Sequence, residues 1–310
     1  MTQQRQPAPA PTRSVGTALQ LLGDRWTLLL LRDAFLLRHR RFHEWRDALG
    51  ISDAVLSSRL ADLVDARVLE RREVSAVHVE YWLTESGLDV WRSLVAMWAW
   101  ERSWVEVSRR TQPAPVHVAC GERTDPVLVC GHCLVATTPR DTTARLASTA
   151  ADFMTDSSLR RRRSSKQLEP SDPSLLFPET MALIGDRTAQ LVLALAFLGS
   201  RRFSDFERRL EVSPSLLADR LRRLVRIGVL ARTKSAGGGH ADYRLTDKGI
   251  DFFPVTIELV QWAQRWFGDP RRPALEVTHV ACGEVFAGEL ACDRCAVVIE
   301  RTTLQWQPPS

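Results

Sequence analysis

The sequence predicts a mainly α-helical fold with small β-hairpins (α+β), built from two tandem copies of one unit. Three observations predict it: a repeat offset by 161–162 residues, helix-start signals at matching places in both copies, and short strand pairs after the helices. The segment Leu22-Gly23-Asp24-Arg25 recurs as Ile184-Gly185-Asp186-Arg187, and His117-Val118-Ala119-Cys120 recurs as His279-Val280-Ala281-Cys282. Loops tolerate a one-residue change in offset, so the matches indicate a duplication.

Each copy predicts a pair of helices joined by a short turn. Asp24 can cap a buried helix that runs to about Leu37. A short amphipathic helix follows from Phe42 to Leu49, and Ser52 starts the next helix after a three-residue turn. In the second copy this start is Ser213-Pro214, an N-cap followed by proline at the first helical position. The spacing is that of a helix-turn-helix motif.

A β-hairpin follows each helix pair. Residues 68–74 and 78–83 are predicted to form two short strands, and the second copy has a Gly-rich loop (237–239) between its strands. Thr84 and Thr246 then cap a final helix, which is expected to reach about Val107 and Phe267. Each copy is therefore predicted to be a winged helix-turn-helix module.

These residues resemble the HxlR family of winged helix-turn-helix transcriptional regulators. The similarity covers roughly residues 14–108 and 176–268, and the motifs are Gly23-Asp24-Arg25-Trp26, Arg40-Arg41-Phe42, Ser52-x3-Leu56-x2-Arg59-Leu60, Val68-Leu69-x-Arg71 and Tyr81-x-Leu83-Thr84-x2-Gly87. The resemblance implies a partner that is double-stranded DNA. Family members usually carry one such domain and dimerise through their terminal helices. Two copies in one chain imply an internal pseudo-dimer, with a homodimer of two chains as the alternative.

The composition fits this interpretation. The 310 residues are 45% hydrophobic and 25% charged, and 42 Lys and Arg against 37 Asp and Glu give a formal charge of +5. A mild positive charge is compatible with a nucleic-acid partner, although its distribution matters more than its sum. All but three of the basic residues are Arg, whose planar fork suits phosphates and guanine edges.

Candidate DNA contacts are polar and basic residues on the outer face of each recognition helix, on the wings and just before each helix pair. In the first copy they are Arg41, Ser52, Ser58, Arg59, Arg71, Arg72 and His78. In the second copy they are Arg202, Ser213, Ser215, Asp219, Arg220, Arg222, Arg223, Arg232, Lys234 and His240. Such groups reach phosphates or base edges, or they are merely solvated surface charges. In the family, Arg59 and Arg220 occupy a position with a structural or phosphate role, so base reading is not implied for them.

The two recognition helices differ in charge. The first is poor in basic residues and carries Asp53 and Asp62, and Ala61-Asp62 matches Arg222-Arg223 of the second. Either the two copies recognise different half-sites, or the first copy has lost part of its ability to recognise DNA bases. A site bound by both is expected to be an imperfect palindrome.

All six cysteines fall in one pattern that is used twice. His117-x2-Cys120-x9-Cys130-x2-Cys133 recurs as His279-x2-Cys282-x9-Cys292-x2-Cys295. One His and three thiolates suit tetrahedral Zn²⁺, and short strands are expected to bring the two pairs of each copy together as in a small zinc ribbon. Two zinc ions are therefore expected, one per copy, in closed structural sites. The alternatives are a redox switch through the Cys-x2-Cys pairs and plain reduced thiols.

Aromatic residues line the final helix of each copy. They are Trp91, Trp98, Trp100 and Trp104 in the first copy and Trp262, Trp266 and Phe267 in the second. Since terminal helices form the dimer interface in the family, aromatic packing between copies or chains is expected. The alternative is a pocket for a small-molecule effector between these helices.

The expected domain organisation follows from the repeat. The segments are an N-terminal arm 1–13, winged helix-turn-helix domain 14–110, Cys/His segment 111–136, linker 137–175, winged helix-turn-helix domain 176–269, Cys/His segment 270–304 and tail 305–310. The linker contains a potential helix from Thr143 to Met154 and the basic run from Arg160 to Arg163. The arm lacks the apolar core of a signal peptide, and the apolar run from Trp26 to Leu31 is too short to cross a bilayer, so a cytoplasmic, nucleoid-associated protein without a membrane partner is expected.

These features favour a sequence-specific DNA-binding transcriptional regulator and not an enzyme. No paired carboxylates, nucleophile–base pair or phosphate loop stands out in the sequence, and the closed zinc spacing leaves no catalytic position. The alternative is a protein-interaction or effector-sensing module that retains the winged-helix fold without specific DNA binding. A steep salt dependence of DNA binding is expected only for a regulator.

Overall fold

A computed structural model describes residues 15–75, 78–146, 177–210, 212–234 and 241–307, and within them the two copies contain corresponding helices. In the first copy these are α1 (Val15–Leu22), α2 (Arg25–Leu36), α3 (Phe42–Leu49), α4 (Asp53–Asp65), α5 (Glu85–Asp89), α6 (Trp91–Trp104) and α7 (Glu106–Thr111). In the second copy they are α8 (Pro178–Ile184), α9 (Arg187–Phe197), α10 (Phe203–Leu210), α11 (Pro214–Ile227), α12 (Asp247–Ile250) and α13 (Phe253–Phe267).

The strands of the described residues form two-stranded antiparallel sheets. The wings are β1 (Leu69–Ser75) with β2 (His78–Leu83), and β6 (Leu230–Lys234) with β7 (Ala241–Leu245). The remaining strands are β3 (Ala114–His117), β4 (Val127–Cys130), β5 (Thr142–Leu146), β8 (Leu275–His279), β9 (Gly288–Ala291) and β10 (Leu304–Gln307). Short 3₁₀ turns at 139–141 and 301–303 precede β5 and β10.

The helix-turn-helix boundaries agree with the local signals in the sequence. The Asp24 carboxylate accepts a hydrogen bond from the Thr27 backbone N–H at 3.0 Å and caps α2. Gly50 ends α3 with a left-handed backbone (φ 58°), where a side chain would be strained. Ser213 caps α11, with Pro214 in its first turn. These three predictions are confirmed.

An ion pair fixes each recognition helix to the helix that precedes the motif. The Arg59 guanidinium on α4 donates two hydrogen bonds of 2.8 Å to the Asp24 carboxylate. On α11, Arg220 forms an ion pair with the equivalent Asp186, with Nε 2.5 Å from Oδ2. The aspartates that cap α2 and α9 therefore also hold the recognition helices in place.

The final helix of each copy is interrupted, whereas the sequence analysis expected a continuous one. After the Thr84 cap, α5 ends at Asp89, and α6 and α7 follow as separate helices. In the second copy Pro254 lies in the first turn of α13, where its missing N–H rules out a regular bond back to α12. At the cap, a Cβ on Gly87 would lie only 2.1 Å from the Val68 carbonyl oxygen, which explains the glycine of the motif.

Part of the predicted linker is a strand. Thr142–Leu146 forms β5 and pairs with β8 of the second copy, so the helix expected from Thr143 is wrong for these residues. The backbone of β5 is extended, and its N–H and C=O groups pair with those of β8 and not with each other, as a helix would require. Residues 147–176, including the arginine run, lie outside the described residues.

Each described sheet outside the wings joins one copy to the other. β3 pairs with β10, β5 pairs with β8, and β4 pairs with β9. In the β4–β9 pair Leu128 lies opposite Leu290, its own counterpart in the repeat. The two copies are therefore related by a pseudo-two-fold axis that passes through this residue pair.

Tryptophan side chains make matching hydrogen bonds across the same axis. Trp100 Nε1 donates to the Lys248 carbonyl oxygen (3.0 Å), and Trp262 Nε1 donates to that of Ser86 (2.8 Å). The indole N–H groups of Trp104 and Trp266 donate to the carboxylates of Asp251 and Asp89. Buried residues of both copies contribute to each of two hydrophobic clusters. The tryptophans expected at a dimer interface thus pack between the copies of one chain.

Among the described residues, no single helix is long and apolar enough to cross a membrane. Taken together, α8 and α9 reach the necessary length and hydrophobicity, but a bend of 84° separates them.

Two buried glutamates show that the copies differ at their shared interface. Glu101 on α6 accepts hydrogen bonds from the backbone N–H groups of Glu179 and Thr180 and from the hydroxyls of Thr180 and Ser108. Glu258 on α13 is also buried, but among the described residues its Oε1 atom has no hydrogen-bond partner. Burial raises the pKa of Glu258 to about 8, despite the lowering influence of nearby Arg92. Its carboxyl group is therefore mostly protonated at neutral pH.

We expect Glu258→Gln to stabilise the fold, and more strongly at pH 8 than at pH 5.5. The unfolded carboxyl loses its proton near pH 4.5 and the folded one only near about 8, so wild-type stability falls as pH rises through that window. The gain at pH 8 is expected to be on the order of 2 kcal/mol, and thermal unfolding of metal-loaded protein at both pH values measures it. Glu101→Gln is the contrasting variant and should destabilise the fold at both pH values, since one amide oxygen cannot accept hydrogen bonds from all four donors. A gain from Glu258→Gln that does not depend on pH would contradict this.

Candidate metal centres and nucleic-acid interface

The predicted metal ligands lie in four tight turns, two in each copy. In each turn the first ligand is followed three positions later by Cys, and the next residue has a left-handed backbone: Gly121 (φ 73°), Leu134 (58°), Gly283 (75°) and Ala296 (57°). The backbone N–H of this residue donates to the carbonyl oxygen of the first ligand, as from Gly121 to His117 at 2.8 Å. The turn brings its two donor atoms close together.

The structure groups these turns across the copies, which corrects the sequence analysis. One cluster contains His117, Cys120, Cys292 and Cys295, and the other contains Cys130, Cys133, His279 and Cys282. In each cluster the four donor atoms lie within 4.8 Å of one another. The eight residues are those predicted, but a zinc ribbon within one copy is wrong. The reason is that β3 and β4 do not pair with each other; they pair with β10 and β9 of the other copy.

The spacing of the donor atoms fits one tetrahedral metal ion in each cluster. A metal bound at about 2.3 Å from sulfur and about 2.0 Å from nitrogen sets sulfur atoms about 3.8 Å apart and sulfur and nitrogen about 3.5 Å apart. The Sγ atoms of Cys120 and Cys292 are 3.8 Å apart, and those of Cys130 and Cys282 are 3.9 Å apart. Nδ1 of His279 lies 3.3 Å from Cys282 Sγ. These distances are far beyond an S–S bond, and the cysteines are free.

The local hydrogen bonds favour the thiolate form at one cysteine of each cluster. Burial raises the pKa of Cys292, but donors that include the backbone N–H groups of Arg294 and Cys295 lower it to about 6. Burial also raises the pKa of Cys130, but hydrogen bonds from the backbone N–H groups of Cys133 and His132 lower that pKa by more. Thiolates are the form that binds metal, so each cluster is prepared for a divalent cation.

The second recognition helix has an exposed basic face. On α11, Leu217, Leu221 and Leu224 are buried in the core. Arg222 and Arg226 are exposed, and Arg223 is half-buried between them. Ser213, Ser215 and Asp219 are exposed at the N-terminal half of the helix. The outer face therefore offers several guanidinium groups to a ligand of negative charge.

The first recognition helix has an exposed acidic face. Asp53, Asp62 and Asp65 of α4 are exposed, as is Ser52 at its N-cap, whereas Ser58 is half-buried. The only arginine of α4 is Arg59, whose guanidinium is bound to Asp24. In the second copy, Arg220 is likewise bound to an aspartate, Asp186. Contact of these two arginines with DNA stays a prediction.

The wings differ in the same direction. In the first wing Arg71 contacts Glu73 and Arg72 contacts Glu70, while His78 bonds to Ser75. In the second wing Arg232 and Lys234 are exposed, and His240 lies outside the described residues. Before the helix pairs, Arg41 contacts Glu80, and Arg202 is exposed. The second copy thus has the more cationic surface throughout its helix-turn-helix and wing.

A shallow cleft of about 550 Å³ lies beside the tryptophan helices. Trp91 and Trp266 form part of its wall, together with Arg92, Arg265 and Asp89. Both arginines contact Asp89, and Arg92 also contacts Glu289. The lining contains equal numbers of arginines and carboxylates, so its net charge favours neither an anionic nor a cationic ligand.

The chain belongs to the HxlR-like helix-turn-helix family, whose model matches residues 21–109 and 183–270. These two ranges amount to more than half of the chain, and each contains one helix-turn-helix motif and its wing. The family resemblance and the tandem duplication predicted from the sequence are confirmed.

Several relatives have the length of a single copy. Uncharacterised HTH-type transcriptional regulators of Mycobacterium tuberculosis and Mycobacterium bovis are 41% identical over 135 residues, which are 42% of this chain and 83% of those proteins. A total length of about 160 residues follows for them, close to the repeat offset here. The HTH-type regulator YvaP of Bacillus subtilis, also uncharacterised, is 32% identical over 96 residues, 30% of this chain and 88% of that protein.

Two solved structures are also similar in sequence. PA1607 is 30% identical, with a TM-score of 0.31, and the match covers 42% of this chain and 82% of that protein. PA1374 from Pseudomonas aeruginosa is 27% identical, with a TM-score of 0.30, and the match covers 37% of this chain and 80% of that protein.

The grouping of ligands predicts different metal losses for two double variants. Cys120→Ser with Cys292→Ser removes two ligands from one cluster, so one metal ion per chain should remain. Cys120→Ser with Cys130→Ser removes one ligand from each cluster, so both sites should be weakened. Elemental analysis of protein dialysed at equal metal concentration distinguishes the pairs. The reverse pattern would show that each copy binds its own ion.

Proposed function

We propose that this protein is a sequence-specific regulator of transcription that binds double-stranded DNA, chiefly through its second copy. The observation that carries the proposal is the exposed basic face of α11, on a helix whose other face is buried in a helix-turn-helix of the HxlR-like family. The related proteins named above as HTH-type transcriptional regulators support the same class. Such a function would be exercised at the nucleoid, in the cytoplasm.

The proposed docking places α11 in the major groove and the β6–β7 wing along the backbone. Arg222 and Arg223 would reach guanine edges or phosphates, since a guanidinium donates two parallel hydrogen bonds to either. Arg232 and Lys234 on the wing, and Arg202 before the motif, would contact phosphates. Neutralising phosphates releases counterions, so the affinity would fall steeply as salt rises.

The two copies would act as an internal pseudo-dimer. The cross-copy strands and tryptophan hydrogen bonds would fix one motif relative to the other, in the role that the family resemblance assigns to a dimer interface. Since the two recognition helices differ in charge, the proposed binding site is an imperfect palindrome.

We further propose that each Cys/His cluster binds one Zn²⁺ ion in a structural role. Three thiolates and one imidazole are a typical structural zinc set, and four protein ligands leave no position for a substrate. Because each centre takes two ligands from each copy, the two ions would cross-link the copies. Zinc would therefore stabilise the pseudo-dimer and not merely one segment.

A second candidate function applies to the first copy alone. The exposed aspartates of α4 would repel DNA phosphates, which favours a protein-interaction surface there. An effector in the cleft beside Trp91 and Trp266 stays a prediction.

The variant Arg222→Ala with Arg223→Ala should weaken binding to the preferred DNA site. The loss should be roughly 1–3 kcal/mol for each base-reading contact and smaller for a phosphate contact. A gel-shift or anisotropy titration at fixed salt measures it. Arg110→Ala with Arg145→Ala removes the same charge from exposed residues outside the motifs and serves as the control. If both double variants lose affinity equally, the exposed face of α11 does not recognise the DNA sequence.

The substitution of Ala61→Arg with Asp62→Arg gives α4 the charges of α11 and tests the first copy. If α4 lies against DNA, the affinity should rise and the salt dependence should become steeper, because the two substitutions make the charge of α4 more positive by three units. The same titration over several salt concentrations measures both. Unchanged affinity and slope would place α4 away from DNA and favour the interaction surface.

A further inference from the structure

The two metal centres differ in the contacts that hold their histidine. We propose that the centre containing His279 binds zinc more tightly than the centre containing His117, and that Thr137 is the positioning residue responsible. This proposal rests on the proposed zinc binding of both centres, and not on DNA binding.

His279 is held on both sides of its imidazole ring. Nδ1 faces the thiols, 3.3 Å from Cys282 Sγ and 3.4 Å from Cys133 Sγ. Nε2 lies 3.4 Å from the Thr137 hydroxyl oxygen. That hydroxyl donates its own hydrogen to the Val135 carbonyl oxygen at 2.9 Å, so its lone pairs are left to accept the Nε2 proton. The proton is thereby kept on Nε2, and the Nδ1 lone pair is free for the metal.

His117 lacks this second contact. Its Nδ1 faces the thiols in the same way, 3.3 Å from Cys295 Sγ and 3.7 Å from Cys120 Sγ. The side chain is just as buried, but within the described residues its Nε2 atom has no hydrogen-bond partner. A buried N–H without an acceptor costs free energy whenever metal fixes the proton there. Metal binding at this centre must bear that cost.

The difference arises from one residue in the repeat. Thr137 and Ile299 occupy equivalent places, since their backbone N–H groups donate to the carbonyl oxygens of Leu128 and Leu290, at 2.9 and 2.7 Å. Ile299 is buried, and its side chain has no atom that can accept a hydrogen bond. The acceptor found at one centre is therefore replaced by an alkyl group at the other.

A second contact acts in the same direction. The His279 ring packs against Phe286, with ring centroids 6.2 Å apart. The equivalent residue of the other copy is Thr124, whose hydroxyl donates to the Asp293 carboxylate at 2.9 Å. The orientation of His279 is thus restrained by a ring and a hydroxyl, and neither has an equivalent beside His117.

Competition with a chelator tests the order of the two affinities. The full chain is loaded with Zn²⁺ and titrated with a coloured chelator, whose own absorbance change measures the zinc that it takes from the protein. Two steps of release are expected in the wild type, with affinities that differ about 10–100-fold, the usual effect of a second-shell partner. Thr137→Val should weaken the tighter step until the two merge. Ile299→Thr should tighten the weaker step.

Three controls separate positioning from a loss of fold. Thr137→Ser keeps the hydroxyl and should retain the wild-type release profile. Thr143→Val makes the same chemical change at an exposed position of β5 and should have no effect. In ¹⁵N-labelled protein loaded with zinc, a protected imidazole Nε2–H signal of His279 should be present and should disappear in Thr137→Val. If Ile299→Thr does not fold, the nearly isosteric Thr137→Val still decides the question.

Two results would overturn the proposal. One is release of both ions in a single step that Thr137→Val does not change. The other is an effect of Thr137→Val on the weaker step only. Protein that retains no zinc at all would overturn the zinc proposal together with this one, whereas the DNA titrations of Arg222 and Arg223 variants would be unaffected as a test of DNA binding.

Discussion

The constraint on which the rest of the structure depends is the pairing of short strands between the two copies. β3, β4 and β5 each have their partner strand in the second copy, so neither Cys/His segment forms a sheet of its own. Strands of four or five residues are marginal when alone, and their backbone groups need the partner strand. The same pairing brings the ligand turns of opposite copies together and sets the terminal helices α6 and α13 side by side. The placement of both recognition helices follows from it.

The local structure could be predicted from the sequence because its signals act over a few residues. Asp24, Gly50 and Ser213 each end or begin a helix for reasons that involve only their neighbours. The eight metal ligands were also evident from their spacing. Their grouping was not, because the two copies carry the same ligand pattern. A Cys-x2-Cys turn fits the His-x2-Cys turn of either copy equally well, and only the strand pairing decides between them. Strand β5 was missed for the same reason, since its partner is remote in sequence.

The two copies share the same arrangement of helices and strands, but they differ in the side chains at several equivalent positions. Where α13 buries the carboxyl group of Glu258, the equivalent residue of α6 is Ala96. Where α11 exposes Arg222, α4 exposes Ala61. The interface residues that depend on symmetry are, by contrast, nearly the same in both halves: Trp100 and Trp262 donate equivalent hydrogen bonds, as do Trp104 and Trp266. The packing that joins the copies has been kept, and differences lie in positions that the packing does not fix.

The opposition of Leu128 and Leu290 on the pseudo-two-fold axis has an evolutionary consequence. In a homodimer of single-unit chains every mutation enters twice, once on each side of the axis, so a change that helps one half and harms the other is rejected. Joining the two units in one gene removes this coupling. Each half then becomes a separate target of selection, and asymmetric pairs such as Thr137 with Ile299 can arise one substitution at a time. The fused chain is, in genetic terms, an obligate heterodimer whose subunits are always made in equal number.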